Sequence, residues 1–274
     1  MGLHFPLSNE PKNTDAVLKS KITLIGSGNL ASHLARAFDL AGHQIHQIVS
    51  RNEVSGKALA KMYAAFYSNN PSNTLEDSDF VFLTVPDKAI ELTLKSIKPK
   101  GPIFLHCAGS VSLAQIESYK DNVGVFYPLQ TFTVERPVNF FNIPVFIEAS
   151  NQDTFQKIWD LADSISNTVK HLDSDKRFSL HLAAVVANNF TNYLLVQTEK
   201  ILATHNLPME YIKPLVEETV KKAFDIGPIA SQTGPAIRHD TVTIQKHLDS
   251  LASNPEMKEM YAMLSNAIQM LAKR

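Results

Sequence analysis

Short apolar runs alternate with amphipathic patterns through the first 173 residues. Runs rich in β-branched residues predict strands, and apolar residues spaced at i, i+3 and i+4 predict helices. The predicted strands cover residues 21–25, 44–49, 79–85, 102–106, 123–127 and 143–148, with shorter ones near 64–67 and 168–172. The predicted helices cover residues 29–41, 53–62, 87–97, 111–119 and 152–165. This alternation predicts an α/β fold with a doubly wound, mostly parallel sheet.

After residue 173 the strand-like runs stop, and only helical patterns follow. Pro214 lies where it can kink the second of these helices, while Asp240 and Asn254 are N-caps for the third and fourth. The expected helices cover residues 175–204, 207–224 and 241–251, and the last begins at 255. The pattern therefore predicts a flexible leader at 1–20, a sheet domain at 21–173 and an all-helical domain at 174–274.

The long predicted helix separates into two faces when it is turned by about 100° per residue. One face is apolar and is expected to pack against protein or a second subunit; it carries Leu180, Ala183, Ala187, Phe190, Leu194 and Ile201. The other face mixes polar and apolar residues; it carries Phe178, His181, Val185, Asn188, Asn189, Asn192 and Val196. These polar groups either bond to loop backbone or line a substrate cleft. Residues 178–198 carry no formal charge and are numerous enough to span a bilayer. The polar residues among them favour a helix buried in protein over a membrane span.

The first strand–helix unit carries the residues Gly26-Ser27-Gly28-Asn29-Leu30-Ala31 at its turn. This is the dinucleotide-binding fingerprint G-x-G-x-x-A in its strand–turn–helix context. Gly26 permits the tight turn, and Gly28 lets the backbone approach a pyrophosphate at the helix N-terminus. Ala31 allows the helix to pack close to the sheet. The alternative is an ordinary strand–helix turn.

The end of the second predicted strand indicates which dinucleotide would bind. An NAD site places Asp or Glu here, where it accepts a hydrogen bond from the ribose 2′-hydroxyl. This chain has Ser50, Arg51 and Asn52 instead. Arg51 offers a cationic fork suited to a 2′-phosphate, and no carboxylate repels that phosphate. The sequence therefore predicts NADP, unless Arg51 is only a solvated surface residue.

Composition narrows the possible partners and compartments. The 274 residues are 44% hydrophobic, with a net charge of −1, so no global field favours nucleic acid or an anionic membrane. Cys107 is the single cysteine, which excludes an internal disulfide and fits a reducing compartment such as the cytoplasm. The sequence contains no H-E-x-x-H motif and no Cys/His cluster, so it predicts no metal site. Residues 1–20 contain no continuous apolar run and do not predict a signal peptide.

Several motifs resemble a known group of proteins. The chain is similar to pyrroline-5-carboxylate reductases and deazaflavin-dependent NADP oxidoreductases, and more closely to a family that joins a Rossmann domain to a C-terminal helical domain of unknown function. The resemblance covers about residues 20–265. Its motifs are IGSGNLA at 25–31, AGH at 41–43, SR at 50–51, VPDKAI at 85–90, FYPLQTF at 126–132, HLAAVVANNF at 181–190 and TGPAIRHD at 233–240.

The resemblance implies roles for individual positions. It implies a pyrophosphate site at Gly26, Ser27, Gly28, Asn29 and Leu30, and a 2′-phosphate site at Ser50 and Arg51. It implies cofactor contacts at Val85, Pro86 and Asp87, and a position beside the nicotinamide half for His106, Ala108 and Gly109. In the second domain, its signature includes His181, Asn189, Thr233, Gly234, Pro235, Arg238 and Asp240.

Three positions depart from the family pattern. Tyr127 stands where histidine is usual, His239 where glycine is usual, and Cys107 where a small hydroxyl residue is common. The roles of the family residues at 127 and 239 are therefore not carried over to this chain.

The predicted function is NADP-dependent hydride transfer to or from a small carbonyl or imine substrate, in a cleft between the two domains. His181 is the first candidate for the proton donor, since imidazole titrates near neutral pH, although it could instead bond only to backbone. Asn188 and Asn189 could orient the substrate. Arg238 could hold a substrate anion or pair with Asp240. The alternative function is a non-catalytic NADP-binding sensor or dimeric partner. The related β-hydroxyacid dehydrogenases place a catalytic lysine on the long helix, and this chain has no lysine between Phe178 and Thr198. Dimerisation through the helical domain is expected, since its apolar faces need cover.

Overall fold

The computed structural model describes residues 19–271. The predicted leader therefore lies, through residue 18, outside the described part of the chain. Eight strands form one sheet in the order β3-β2-β1-β4-β5-β6-β7-β8. Their bounds are β1 Lys21–Ile25, β2 Gln44–Val49, β3 Phe66–Ser68, β4 Phe80–Leu83, β5 Ile103–His106, β6 Val123–Pro128, β7 Val145–Ala149 and β8 Val169–His171.

The sheet is parallel except where β7 runs antiparallel to β6. The parallel strands β1 and β4 are neighbours although two strands separate them along the chain, so the order reverses direction between them. Ligands of doubly wound sheets bind beyond the carboxyl ends of the strands at such a reversal. The predicted fold class, a doubly wound and mostly parallel sheet followed by helices, is confirmed.

Both faces of the sheet are covered by apolar layers. Along β4, Phe80 and Phe82 belong to one layer, while Val81 and Leu83 belong to the other. Alternate residues of a strand point to opposite faces, so a strand buried on both sides has a continuous apolar sequence. This is why the sequence signal for β4 was an uninterrupted apolar run.

Four helices follow the strands of the sheet domain at positions close to those predicted. Their bounds are α1 Asn29–Leu40, α2 Glu53–Met62, α3 Asp87–Ser96 and α4 Gln152–Asp163. The helix predicted at 111–119 is wrong, because this segment contains only the 3₁₀ turn Leu113–Gln115. Ser112 caps that turn, and the backbone continues in tight bonds such as Tyr119 N–H to Ile116 O at 3.1 Å. The segment contains one i→i−4 bond, from the Glu117 N–H to the Leu113 oxygen at 3.1 Å, but it does not continue into an α-helix.

The long helix predicted at 175–204 is not continuous. The structure has α5 at Ser174–Ala184, a π-helical segment at Val185–Phe190 and α6 at Thr191–Ala203. A π-helical turn accommodates an extra residue, which rotates everything after it by about 100° relative to an ideal α-helix. The predicted assignment of residues to two helix faces therefore holds only through residue 184.

The chain divides into two compact units between Asn188 and Asn189. The boundary expected at residue 173 lies earlier, at the beginning of α5. α5 stays with the sheet because Arg177, which is 1% exposed, pairs with Glu148 on β7. Its guanidinium also donates to the carbonyl oxygen of Val111 at 2.6 Å. The sequence did not single out either member of this buried ion pair.

The second unit contains α6, α7 at Lys213–Ile226, α8 at Thr241–Ser250 and α9 at Pro255–Leu271. The predicted helix 207–224 is instead the 3₁₀ turn Met209–Tyr211 followed by α7. Pro214 lies in the first turn of α7, where its missing N–H costs nothing, so the predicted kink is absent. Asp240 and Asn254 cap α8 and α9 as predicted. Within residues 19–271, no helix is long and apolar enough to cross a membrane.

Glu148→Gln tests the ion pair that fastens α5. The variant leaves the Arg177 guanidinium buried without a counter-charge, which should lower the free energy of unfolding by about 3 kcal/mol in urea titrations. The control Asp153→Asn breaks the exposed Asp153–Lys157 pair on α4 and should change stability by less than ~0.5 kcal/mol. A loss for Glu148→Gln no larger than that of the control would contradict this account.

Candidate functional site

Gly26 forms the turn that leaves β1. Its φ is +127°, in the region that favours glycine. A Cβ at this position would lie 2.5 Å from the Thr84 hydroxyl oxygen, so a side chain is excluded by space as well as by conformation. The Gly26 N–H donates to the carbonyl oxygen of Val49 at 2.8 Å, which ties the turn to the end of β2.

Gly28 lies at the N-cap of α1, above which space is open. No heavy atom lies within 4 Å of the position that a Cβ would take. No side chain caps the helix, and its first turn carries no acidic residue. An uncapped helix N-terminus presents free N–H groups and a partial positive charge. The turn is therefore a cradle that fits an anionic pyrophosphate.

The side chains of the two residues after Gly28 are engaged elsewhere. The Asn29 amide donates to the carbonyl oxygen of Phe132 at 2.9 Å, and Leu30 packs against the core. His33, one turn later, bonds to the carbonyl oxygen of Thr133 at 3.0 Å. Of Asn29 and Leu30, only the backbone N–H groups lie at the open turn, whereas their side chains fix the helix to the sheet and to the loop after β6.

Three hydroxyl groups meet at the end of β2. The Ser27 Oγ lies 2.7 Å from both the Ser50 Oγ and the Ser55 Oγ. Arg51 is exposed beside them, and Asn52 caps α2 by accepting from the Ser55 N–H. The predicted residues Ser27, Ser50 and Arg51 are thus brought together. Sequence reasoning missed Ser55, whose signal was its place in the first turn of the following helix.

The ends of β4 and β5 are joined by a hydrogen bond. The Ser110 hydroxyl donates to the Asp87 carboxylate at the beginning of α3. Val85 packs against the core, and Pro86 is the N-cap of α3. Ser110, which the sequence did not mark as a candidate, therefore links two of the predicted cofactor segments.

His106 and Cys107 are held in uncharged forms. Burial, with a smaller contribution from the nearby Arg177 charge, lowers the pKa of His106 to about 3. Its Nδ1 accepts from the Ala108 N–H at 3.2 Å, while its Nε2 has no hydrogen-bond partner among the described residues. Burial raises the pKa of the Cys107 thiol. Neither group therefore supplies a charge or a thiolate nucleophile at neutral pH.

His181 contacts residues at the ends of β5 and β6. Its Nδ1 is hydrogen-bonded to the Tyr127 hydroxyl at 3.0 Å, and the two rings meet edge to face. A Cβ at Gly109 would lie 2.6 Å from both the Cβ and the Nδ1 of His181, so only glycine leaves room for this ring. Burial raises the pKa of Tyr127, which keeps the phenol protonated. Tyr127, which sequence reasoning set aside, is the direct partner of the first-choice proton donor.

The remaining predicted candidates lie on the π-helical segment and in the loop before α8. Asn188 and Asn189 are both exposed on the π-helical segment. Arg238 is exposed, and among the described residues it forms no ion pair with Asp240, whose carboxylate accepts from the Thr243 N–H and hydroxyl. Hydrogen bonds from Thr243 and the charge of Arg238 lower the pKa of Asp240.

The loop before α8 shows why glycine is usual at position 239. His239 has φ +56°, a left-handed conformation that glycine adopts without strain.

Among the described residues, no cluster of three or more His, Cys, Asp or Glu side chains is arranged to hold a metal ion.

Comparison with solved structures identifies the family. A Bacteroides fragilis protein that has been assigned as an NADP oxidoreductase is 37% identical, with a TM-score of 0.89, over 94% of this chain and 100% of that chain. The chain belongs to this NADP oxidoreductase family. The predicted enzyme class and the predicted cofactor, NADP, are confirmed at the level of the family.

Two family models divide the chain between them. Residues 21–108 match the model described as NADP oxidoreductase, coenzyme F420-dependent, and residues 143–268 match a domain of unknown function. Both agree with the predicted resemblance. No protein of curated function matches the chain.

More distant structures share the fold. A Myxococcus stipitatus imine reductase in complex with NADP⁺ is 16% identical, with a TM-score of 0.67, over 92% of this chain and 94% of that chain. A 1-pyrroline-5-carboxylate reductase from Streptococcus pyogenes is 17% identical, with a TM-score of 0.59, over 93% and 99%. At these identities the likeness concerns the fold and not the substrate.

Proposed function

We propose that this protein transfers hydride between NADP(H) and a small carbonyl or imine compound, with His181 as the proton donor. One observation carries the proposal. The open, uncapped turn at Gly28 and the imidazole of His181 belong to the same carboxyl edge of one sheet. A hydride-transfer enzyme needs a cofactor cradle and one proton-transfer group at a common site.

The cofactor would be held by the groups that meet at the ends of β1 and β2. The free N–H groups of the α1 N-terminus suit a pyrophosphate, as does the absence of atoms above Gly28. The hydroxyls of Ser27, Ser50 and Ser55, with exposed Arg51, suit a 2′-phosphate. Asp87, His106, Ala108 and Gly109 would border the nicotinamide half. When bound, the cofactor supplies or accepts the hydride.

His181 is the group best suited to exchange a proton with the substrate. It is half-buried, and its Nε2 is neither buried nor hydrogen-bonded within the described residues. Asn188, Asn189 and Arg238 remain candidates for orienting the substrate, and the bound compound is expected to be small. The imine reductase and the 1-pyrroline-5-carboxylate reductase that share this fold motivate testing imines beside carbonyl compounds.

We also propose a homodimer formed through the second unit. Of its described residues only Gln197, Ala236 and Ser265 are buried, so it has almost no apolar core of its own. Exposed apolar side chains are spread over its helices and turns, among them Phe190, Ile201, Tyr211, Leu215, Val220, Phe224, Ile229, Met263 and Met270. Apolar surface of this extent needs cover from another copy of the chain.

His181→Ala tests the reaction. Purified protein is mixed with NADPH and a panel of keto acids, ketones and cyclic imines, and the absorbance of the reduced nicotinamide is followed. The kcat of the variant should fall about 100-fold, the lower end of the rate effect of general acid catalysis, with little change in NADPH affinity. The control His205→Ala, at an exposed histidine, should retain full activity. Tight NADPH binding without turnover on any compound would favour the non-catalytic alternative and overturn the proposal.

Arg51→Ala tests the cofactor preference. Losing a charge-assisted contact to the 2′-phosphate should weaken NADPH binding about tenfold and leave NADH binding unchanged, as measured by fluorescence titration. Arg36→Ala removes a different exposed arginine, on α1, and should alter neither affinity. If the unmodified protein bound NADH more tightly than NADPH, the assignment of Arg51 would be wrong.

Phe224→Glu tests the dimer. Light scattering should give twice the 30.4 kDa chain mass at micromolar concentration for the unmodified protein. Phe224 is 88% exposed on α7, and a charge there should shift the equilibrium toward monomer. Leu92→Glu changes a comparably exposed leucine of the sheet domain and should leave the mass unchanged. A monomeric unmodified protein would exclude the dimer.

A further inference from the structure

Two neighbouring residues restrict the imidazole ring of His181, and an ion pair fastens the helix that carries it. The absent side chain of Gly109 provides the space in which the ring lies. The edge-to-face contact with Tyr127, at 6.0 Å between ring centroids, limits its rotation. The ion pair of Arg177 with Glu148 holds α5, and with it the backbone of His181, against β7. Such a ring is held in one orientation before any substrate arrives, which is what an efficient proton-transfer group requires.

The two ring nitrogens of His181 have different surroundings. Nδ1 lies 3.0 Å from the Tyr127 hydroxyl, deep enough that Tyr127 is only 7% exposed. Nε2 has no hydrogen-bond partner among the described residues and is not buried. Nε2 is therefore free to bond to a substrate, whereas Nδ1 is already bonded to Tyr127.

Proton transfer at Nε2 sets a requirement on Nδ1. An imidazolium that gives up its Nε2 proton becomes a neutral ring that carries its remaining proton on Nδ1, and a buried N–H needs an acceptor. The phenol oxygen of Tyr127 is the atom in reach. Because burial is the largest effect on Tyr127 and raises its pKa, this oxygen belongs to a neutral phenol and not to a phenolate that would take the proton.

We propose that Tyr127 is a positioning residue whose phenol oxygen accepts the Nδ1–H of His181, so that Nε2 alone exchanges the proton with the substrate. This inference rests on the proposed hydride transfer. As the substrate carbon gains hydride from the reduced nicotinamide, the π electrons of its C=O or C=N bond move to oxygen or nitrogen. That atom takes the Nε2 proton of the imidazolium. The substrate is reduced, the nicotinamide is oxidised, and His181 is left neutral with its proton on Nδ1.

The protonation state of the neutral ring is directly measurable. In the full-length protein with ¹⁵N-labelled histidine, two-bond ¹H–¹⁵N spectra distinguish a ring protonated on Nδ1 from one protonated on Nε2, and the His181→Ala spectrum assigns the signal. We expect neutral His181 to carry its proton on Nδ1. Tyr127→Phe, which keeps the aromatic ring, should shift the population to Nε2–H. Tyr119→Phe removes a phenol that bonds instead to Glu91 at 2.7 Å and should leave the His181 signal unchanged.

Kinetics supply a second readout. Tyr127→Phe should lower kcat by about fivefold, the effect of losing one neutral hydrogen bond, without changing the KM for NADPH. An Nε2–H ring in the unmodified protein would overturn the role of Tyr127 even if the enzyme turned over. If His181 carried its proton on Nδ1 but the protein never oxidised NADPH, the hydrogen bond from Nδ1 to Tyr127 would be supported. The role of that bond in proton exchange would be wrong, and so would the proposed function.

Discussion

The buried ion pair between Arg177 and Glu148 is the constraint on which the candidate site depends. A buried pair of this kind adds little net stability, because desolvating both charges offsets their attraction. Its effect is geometric. Glu148 also accepts hydrogen bonds from the backbone N–H and the hydroxyl of Ser174, so the first turn of α5 is fastened to β7 at several points. This attachment positions the backbone of α5, so that His181 can bond to Tyr127 at the end of β6.

The helix changes character just beyond this anchored region. α5 ends at Ala184, the π-helical segment begins at Val185, and the compact units divide within it. π-Helical turns are rare and occur frequently at functional sites, because the wider turn weakens regular packing while it redirects side chains. Here the segment carries Asn188 and Asn189, the two amides proposed to orient a substrate. The chain thus passes from a helix tied to the sheet to one with few buried residues of its own.

The proposed cofactor site depends instead on side chains that are absent. Gly26 lacks a Cβ that would overlap Thr84, Gly28 leaves open space, and α1 lacks a capping side chain. An uncapped helix leaves N–H groups unsatisfied in the free protein, and a bound anion satisfies them. The Arg51 side chain adds a charge at the surface without an ion-pair partner among the described residues. Both features are explained if a phosphorylated dinucleotide completes the site.

The sequence by itself determined the strands, most helices of the sheet domain, the glycine turn and the family, because each depends on local patterns of a few residues. Continuous apolar runs identify strands buried on both faces, and spaced glycines identify the turn. It could not determine the end of the predicted long helix, since a π-helical turn has no local signature. Nor could it pair Tyr127 with His181 or Arg177 with Glu148, which lie 54 and 29 residues apart. Only the tertiary structure decided these contacts, because packing between distant segments selects which polar groups meet.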